Sequence, residues 1–335
     1  MNIKSLIRQK YFIVFMISLL ALFIVSQIKT IYVIRVINLA LIYSINTFSL
    51  MMMLGMGGQL IFSSVAFMGL GAYVTANLCS GRLGFETGGL TAILASVVIG
   101  GLAAFLFGLP LLRLSGTFFT FATIAIVQIF YTFFLNYVPA FGGPAGISGI
   151  KPLSIMGNQI KEPFHWFIIL LIVVLIVMAL LSRLRNSQFG RRLSAIRDNE
   201  IAAQTLGVNV YWTRVKAYTI SGMLAGLSGA FLALFSRYIS ADNFTFIRAA
   251  TFIIMAMLGG VNYAGGILIG SALITFLPEV LRGMDRYLMF IYGVMVIILM
   301  IFMPMGLVGL VRNIWKKMSR KRADAQTNTP GGETL

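Results

Sequence analysis

Apolar stretches about as long as a bilayer is thick recur along this chain, among them Tyr11–Ile28, Leu90–Leu112 and Phe164–Leu181. An α-helix rises about 1.5 Å per residue, so about 20 apolar residues span the roughly 30 Å of hydrocarbon. Hydrocarbon offers no water to open backbone groups, which leaves helices or closed barrels as the spanning structures. Barrel strands alternate apolar and polar side chains over about ten residues, and no such alternation runs through this sequence. The expected fold class is therefore an all-α integral membrane protein, a polytopic helical bundle of about 8–10 transmembrane helices. Composition agrees, since 59% of the 335 residues are hydrophobic and only 9 are acidic.

The expected spans are 11–28, 36–54, 60–79, 90–112, 117–136, 164–182, 215–236, 248–262, 264–281 and 287–311. The glycine-broken ones have re-entrant segments as their alternative. The first run follows Lys4, Arg8 and Lys10 as a signal peptide would, but "SQIKTIY" after it offers no small-x-small cleavage site, so it reads as a retained span. With this parity, seventeen Lys and Arg residues fall on the side of the termini and nine on the other, which places both termini in the cytoplasm. Residues 1–312 then form one transmembrane domain, with an external Gly/Pro-rich loop at 139–163 and a cytoplasmic loop at 183–214. Residues 313–335 form a basic tail of disordered composition, its charge suited to anionic membrane lipid.

The missing chemistry narrows the function. A net charge of +17 does not point to nucleic acid, because the cations lie between apolar runs rather than on a soluble face. Cys79 is the single cysteine, so no intramolecular disulfide forms, and no His/Cys cluster has metal-ligand spacing. The sole histidine, His165, sits beside Trp166 at the start of a span and reads as interfacial. Glu86, Glu162, Asp242, Glu279 and Asp285 fall in loops or near span ends, leaving no buried carboxylate for a proton relay. The chain does not read as an enzyme, and a proton-driven pump is disfavoured.

Neutral polar residues do enter the spans: Asn46, Gln59, Ser63, Ser64, Thr117, Thr120, Thr123, Gln128 and Asn136. They either line a translocation path or bond helix to helix. Thr117, Thr120 and Thr123 recur every third position and are expected to share a face. In the external loop, Gly142, Gly143, Pro144, Gly146 and Gly149 suit a tight folded turn rather than a helix, and offer a contact surface for a partner.

The stretch "RDNEIAAQTLG" (Arg197–Gly207) is polar in an apolar chain. Asp198 or Asn199 suits the cap of a short helix with Glu200 in its first turn and Gly207 at its end. Ile201, Ala202, Ala203 and Leu206 give it a small apolar surface. Upstream, "FGRRLSAIR" places Leu193, Ile196 and Arg197 on neighbouring helix positions. A plain connector explains the arginines; a docking knob explains the capped helix as well.

"EIAAQTLG" within "GRRLSAIRDNEIAAQTLGVNV" resembles the EAA-type loop of ABC importer permeases, specifically the M-type permease of high-affinity branched-chain amino acid importers. "GGQLIFSSVAFMGLGAY", "LRLSGTFFTFATIAIVQI", "GGPAGISGI", "ISGMLAGLSGAFLA", "LGGVNYAGGILIGSALI", "LPEVLR" and "MPMGLVGL" follow the family's order over roughly residues 36–312. Many members carry a histidine in the early glycine motif where this chain reads Phe62–Phe67. The resemblance implies a type II importer permease in the bacterial inner membrane. It also implies a homologous second permease, two cytoplasmic ATP-binding subunits and a periplasmic or lipid-anchored substrate-binding protein. ATP and Mg would be bound by the ATPases, with no cofactor in this chain. Carried over by position, ATPase coupling falls to Arg197, Asp198, Glu200, Ala202, Ala203 and Gly207. Urea, amides or other amino acids are alternative substrates, and a stand-alone carrier or channel is the alternative class.

Overall fold

Small residues decide which helices meet. The computed structural model describes residues 30–82, 88–155, 158–280, 290, 291, 293 and 294. The expected span 11–28, all but those last four residues of the expected span 287–311, the signal-peptide question, the basic tail, Glu86 and Asp285 lie outside them. The helices are α1 (Ile31–Leu50), α2 (Ser64–Ser80), α3 (Gly89–Leu111), α4 (Thr117–Asn136), α5 (Val138–Phe141) and α6 (Pro163–Asn186). They continue as α7 (Gln188–Asp198), α8 (Glu200–Thr205), α9 (Val210–Ser236), α10 (Phe246–Gly259) and α11 (Ala264–Val280).

α9 is the hub, packing on α2, α3 and α1. A Cβ on Gly226 would lie 2.4 Å from the Ser96 carbonyl oxygen, and one on Gly71 2.4 Å from that of Gly226. At this crossing α2, α3 and α9 touch backbone to backbone, which only side-chain-free residues permit. Hydroxyls finish the junction: Ser96 Oγ donates to the Gly71 carbonyl at 2.8 Å and lies 2.6 Å from Thr75 Oγ1. Ser228 Oγ donates to the Ile42 carbonyl at 2.8 Å, fixing α9 against α1.

Among the described residues, α1 with its π-helical extension Met51–Met56, and α3, α4, α6 and α9, are long and apolar enough to cross a membrane. α2, α10 and α11 have 17, 14 and 17 residues, about 26, 21 and 26 Å of helix against about 30 Å of hydrocarbon. They occupy the expected spans 60–79, 248–262 and 264–281. Irregular chain at 57–63 precedes α2, and the turn at 260–263 separates α10 from α11. Elsewhere the expectation is met closely: α4 coincides with 117–136. α6 and α9 overrun 164–182 and 215–236 at their polar ends, where capping residues Ser187 and Asn209 let the helices run past the apolar stretch.

The loops sort to two ends as the span parity requires. Residues 55–59, 183–214 and 260–263 gather at one end through the bonds described below. At the other, Asn77 Nδ2 donates to the Ala140 carbonyl at 2.8 Å. There β1 (Ile147–Ser148) pairs antiparallel with β4 (Tyr238–Ile239), and β2 (Ser154–Ile155) with β3 (Asn158–Gln159). The loop thus includes the helical turn α5, which the sequence reading did not expect, and is tied to the end of α9 by a ladder. Gly146 makes that ladder possible: its φ is +68°, and a Cβ there would lie 2.2 Å from the Ile239 carbonyl oxygen. Tyr73 closes this end, its ring 4.7 Å from that of Phe134 and 5.0 Å from that of Phe141.

Candidate functional site

The polar segment folds as a self-supported hairpin. Ser187 Oγ caps α7 by accepting from Gly190 N at 3.3 Å. Leu193 and Ile196 are buried on the inner face of α7, and Ile196 packs with Ala203 and Val210, tying α7, α8 and α9 together. Of the two candidate caps, Asn199 holds α8, its Oδ1 accepting from Ala202 N at 3.0 Å. Gly207 ends the turn at φ +78°, and Val208 N returns to the Ala203 carbonyl at 3.0 Å. Both terminal guanidinium nitrogens of Arg214 donate to the Glu200 carboxylate, at 3.0 and 2.8 Å. That forked pair fixes the angle of α8 on α9. Ile201 and Leu206 remain 75% and 83% exposed, an apolar tip on a charged hairpin.

Asp198 and Arg197 take a different place from the tip. Asp198 Oδ1 accepts from Arg197 Nε and Nη2 at 3.0 and 2.9 Å. Arg197 Nη1 donates to the Gly55 carbonyl at 2.7 Å and to Asn262 Oδ1 at 3.3 Å. Arg185 also donates to the backbone carbonyl of Asn262. Gly55 lies so close to the turn after α10 that a Cβ on it would sit 2.6 Å from the Val261 carbonyl oxygen. A single guanidinium therefore joins the hairpin, the π-helical end of α1 and the α10–α11 turn. By sequence position Arg197 belongs with the docking residues, and nothing in residue order points to its partners Gly55 and Asn262 or to the bonds of Arg185 and Arg214. Two glycine-broken segments were the only hint, and their contact is a tertiary fact.

The neutral polar residues divide. Ser63 Oγ and Tyr218 OH lie 2.6 Å apart in the core. Thr123 Oγ1 accepts from Phe62 N at 3.3 Å and donates to the Thr120 carbonyl at 2.7 Å, while Thr120 Oγ1 donates to the Leu60 carbonyl at 3.4 Å. Ser64 is buried, and Asn46 is wholly buried with neither amide atom partnered among the described residues. Gln59 is half-buried, its Oε1 likewise unpartnered. Asn136 Nδ2 donates within its own helix to Thr132. Thr117 is exposed, Thr120 half-buried and Thr123 buried. A three-residue step falls about 60° short of a full turn, so the three threonines spread over about 120° of α4, from its exposed side to its buried one. Gln128 is exposed about midway along α4, whose Phe118, Phe121 and Ile129 are exposed with it.

In the Gly/Pro-rich loop at 139–163, Gly142, Gly143, Gly146 and Gly149 all hold positive φ, and Pro144 lies in the 3₁₀ turn Gly143–Ala145. Pro144 and Gly149 are exposed, whereas Gly143 is buried. His165 Nδ1 contacts Glu162 at 3.1 Å on the surface.

Residues 32–302 match the profile of the family described as branched-chain amino acid transport system / permease component. The chain is 27% identical over 333 residues to the high-affinity branched-chain amino acid transport system permease protein LivM of Escherichia coli K12, covering 92% of this chain and 77% of that one. It is 25% identical over 251 residues to the probable branched-chain amino acid transport permease protein LivM of Methanocaldococcus jannaschii (69% and 71% covered). It is 27% identical over 163 residues to the LivH permease protein of the same organism (46% and 50% covered). No solved structure gives a significant match.

Proposed function

The chain belongs to the family of permease components of branched-chain amino acid transport systems, and on that premise we propose that it is one of two homologous permease subunits of an ATP-driven importer for leucine, isoleucine and valine. It is a multi-pass membrane protein of a transport family, not an enzyme family. The observation that carries the ATP-driven reading is the apolar tip of Ile201 and Leu206, held out by the Glu200–Arg214 fork. An autonomous carrier has no use for such a tip; an ATPase groove does. Glu200, Ala202, Ala203 and Gly207 shape it, while Arg197 and Asp198 pass its movement inward.

The mechanism is mechanical. Closure of two ATPase subunits on ATP and Mg displaces the hairpin. The Arg197 link carries that displacement to the end of α1 and to the α10–α11 turn, and the helices around α9 shift between two packed arrangements. Path residues are those on the exposed face of α4, Thr117 and Gln128, because an amide uncovered in mid-membrane calls for a polar or protein neighbour. The second permease supplies the opposite wall. The Gly142–Gly149 loop meets a substrate-binding protein outside the inner membrane, and the cation excess keeps the hairpin cytoplasmic.

Affinity purification of the tagged chain with its chromosomal neighbours tests this. A second permease and two ATPases should co-purify, and Ile201→Asp with Leu206→Asp should release the ATPases while the permease pair persists. A chain that purifies alone and moves solute without ATP would overturn it.

A further inference from the structure

At the end of the bundle opposite the hairpin, a cleft of about 360 Å³ opens between the start of α1, the start of α6 and the end of α9. Arg35, Lys161 and Arg237 line it, together with Leu39, Trp166 and Phe235. Each apolar residue lies nearer the middle of its helix than the cation beside it in sequence. Leu39 is one turn further along α1 than Arg35, Trp166 is inside α6 beyond Lys161, and Phe235 precedes Arg237 in α9. The mouth of the cleft is therefore cationic and its depth apolar.

No carboxylate lines this cleft, and among the described residues none pairs with Arg35, Lys161 or Arg237. Glu162, next to Lys161, contacts His165 instead. Residues 1–34 contain no acidic residue to supply the charge. Like charges gathered in one cleft repel one another unless an anion joins them. The backbone adds a second observation. Arg237, at φ +56°, is the only non-glycine residue with positive φ among the described residues. Glycine holds that helix-end conformation with less strain, so an arginine there keeps its charge at the cleft against a backbone preference.

We propose that this cleft binds an anionic phospholipid. Its phosphate lies among Arg35, Lys161 and Arg237, and its first acyl carbons run along the half-buried Leu39 and Phe235, with the buried Trp166 directly behind Phe235. Guanidinium forks match phosphate oxygens, and the indole of Trp166 is fixed at the headgroup level by donating from Nε1 to the Ile160 carbonyl at 3.2 Å. The apolar depth selects a lipid over free phosphate, which would leave that wall uncovered.

Trp166 reports on the site. The full chain, in its complex, is prepared with Trp212→Phe and Trp315→Phe and placed in phosphatidylcholine vesicles doped with brominated phosphatidylglycerol or brominated phosphatidylcholine. Brominated phosphatidylglycerol should quench Trp166 at a mole fraction at least about threefold lower than brominated phosphatidylcholine. Arg35→Ala with Lys161→Ala and Arg237→Ala should erase that preference while quenching by brominated phosphatidylcholine stays unchanged. Should that triple variant fail to fold, Arg237→Gly, which also relaxes the backbone, should reduce the preference with thermal stability retained. Equal quenching by the two lipids in the parent protein would overturn the site. Reversal of the quenching by millimolar inorganic phosphate would overturn the lipid in favour of a free anion.

Discussion

Arg197 and Gly55 lie 142 residues apart in sequence and are joined by a 2.7 Å hydrogen bond from the guanidinium Nη1 to the carbonyl oxygen. Asn262 accepts from the same nitrogen, so the hairpin, the end of α1 and the α10–α11 turn meet at one side chain. An arginine can hold them because its planar fork presents several donors in fixed directions, whereas an ammonium is a single point.

Arg197→Ala is expected to leave the permease in the membrane and bound to the ATPases, yet to lower substrate-stimulated ATP hydrolysis and uptake by at least about tenfold, equivalent to about 1.4 kcal/mol. Arg197→Lys should recover only part of this. Proteoliposome uptake measured beside ATP hydrolysis checks both. Loss of the ATPases from the Arg197→Ala complex would instead place Arg197 in the docking surface.

Glu200 and Arg214 form a forked pair in which the carboxylate side is 44% exposed and the arginine 13%, so solvent screening keeps its worth in stability small, about 1 kcal/mol. Its effect is on the direction of the tip. Glu200→Arg should abolish ATPase stimulation with the protein level near normal, and the double swap Glu200→Arg with Arg214→Glu should restore a measurable part of it. A swap that recovers nothing while the hairpin stays folded would mean the pair does not set the angle of α8.

The crossing of α2, α3 and α9 has no room for side chains. Gly226→Val and Gly71→Val should prevent accumulation of folded protein, measured as detergent-stable monodisperse material. Gly265, in α11, has nothing within 4 Å of a Cβ position. Gly265→Ala should be neutral or stabilising by up to about 1 kcal/mol, because it replaces a poor helix former with a good one.

Ser63 and Tyr218 share a buried hydroxyl contact of 2.6 Å. Tyr218→Phe or Ser63→Ala should each cost about 1 kcal/mol of thermal stability, and the double variant less than the sum, since both singles leave a partner unsatisfied. Strict additivity in the melting data would show that the two hydroxyls do not depend on each other.

Several features were readable from residue order because they depend on neighbours along the chain. Apolar length placed α4 at 117–136, and the cap and glycine of "RDNEIAAQTLG" marked α8 and its end at Gly207, since an Asx cap and a positive φ are local requirements. The break between 248–262 and 264–281 was also placed from residue order, close to the turn at 260–263 that separates α10 from α11.

What the sequence determined by itself was the solvent of the fold, its helical class, the family to which the chain belongs and the polar hairpin set between two apolar runs. Hydrophobic length, capping chemistry and charge bias are all written in order along the chain. Tertiary structure alone decided that Arg197 turns inward to Gly55 and Asn262 while Ile201 and Leu206 turn outward, and that Thr123 is buried while Thr117 and Gln128 are not. It also brought Arg35, Lys161 and Arg237 to one cleft. The physical reason is that a helix offers every direction around its axis, and which direction becomes interior is set by where glycines elsewhere allow another backbone to approach.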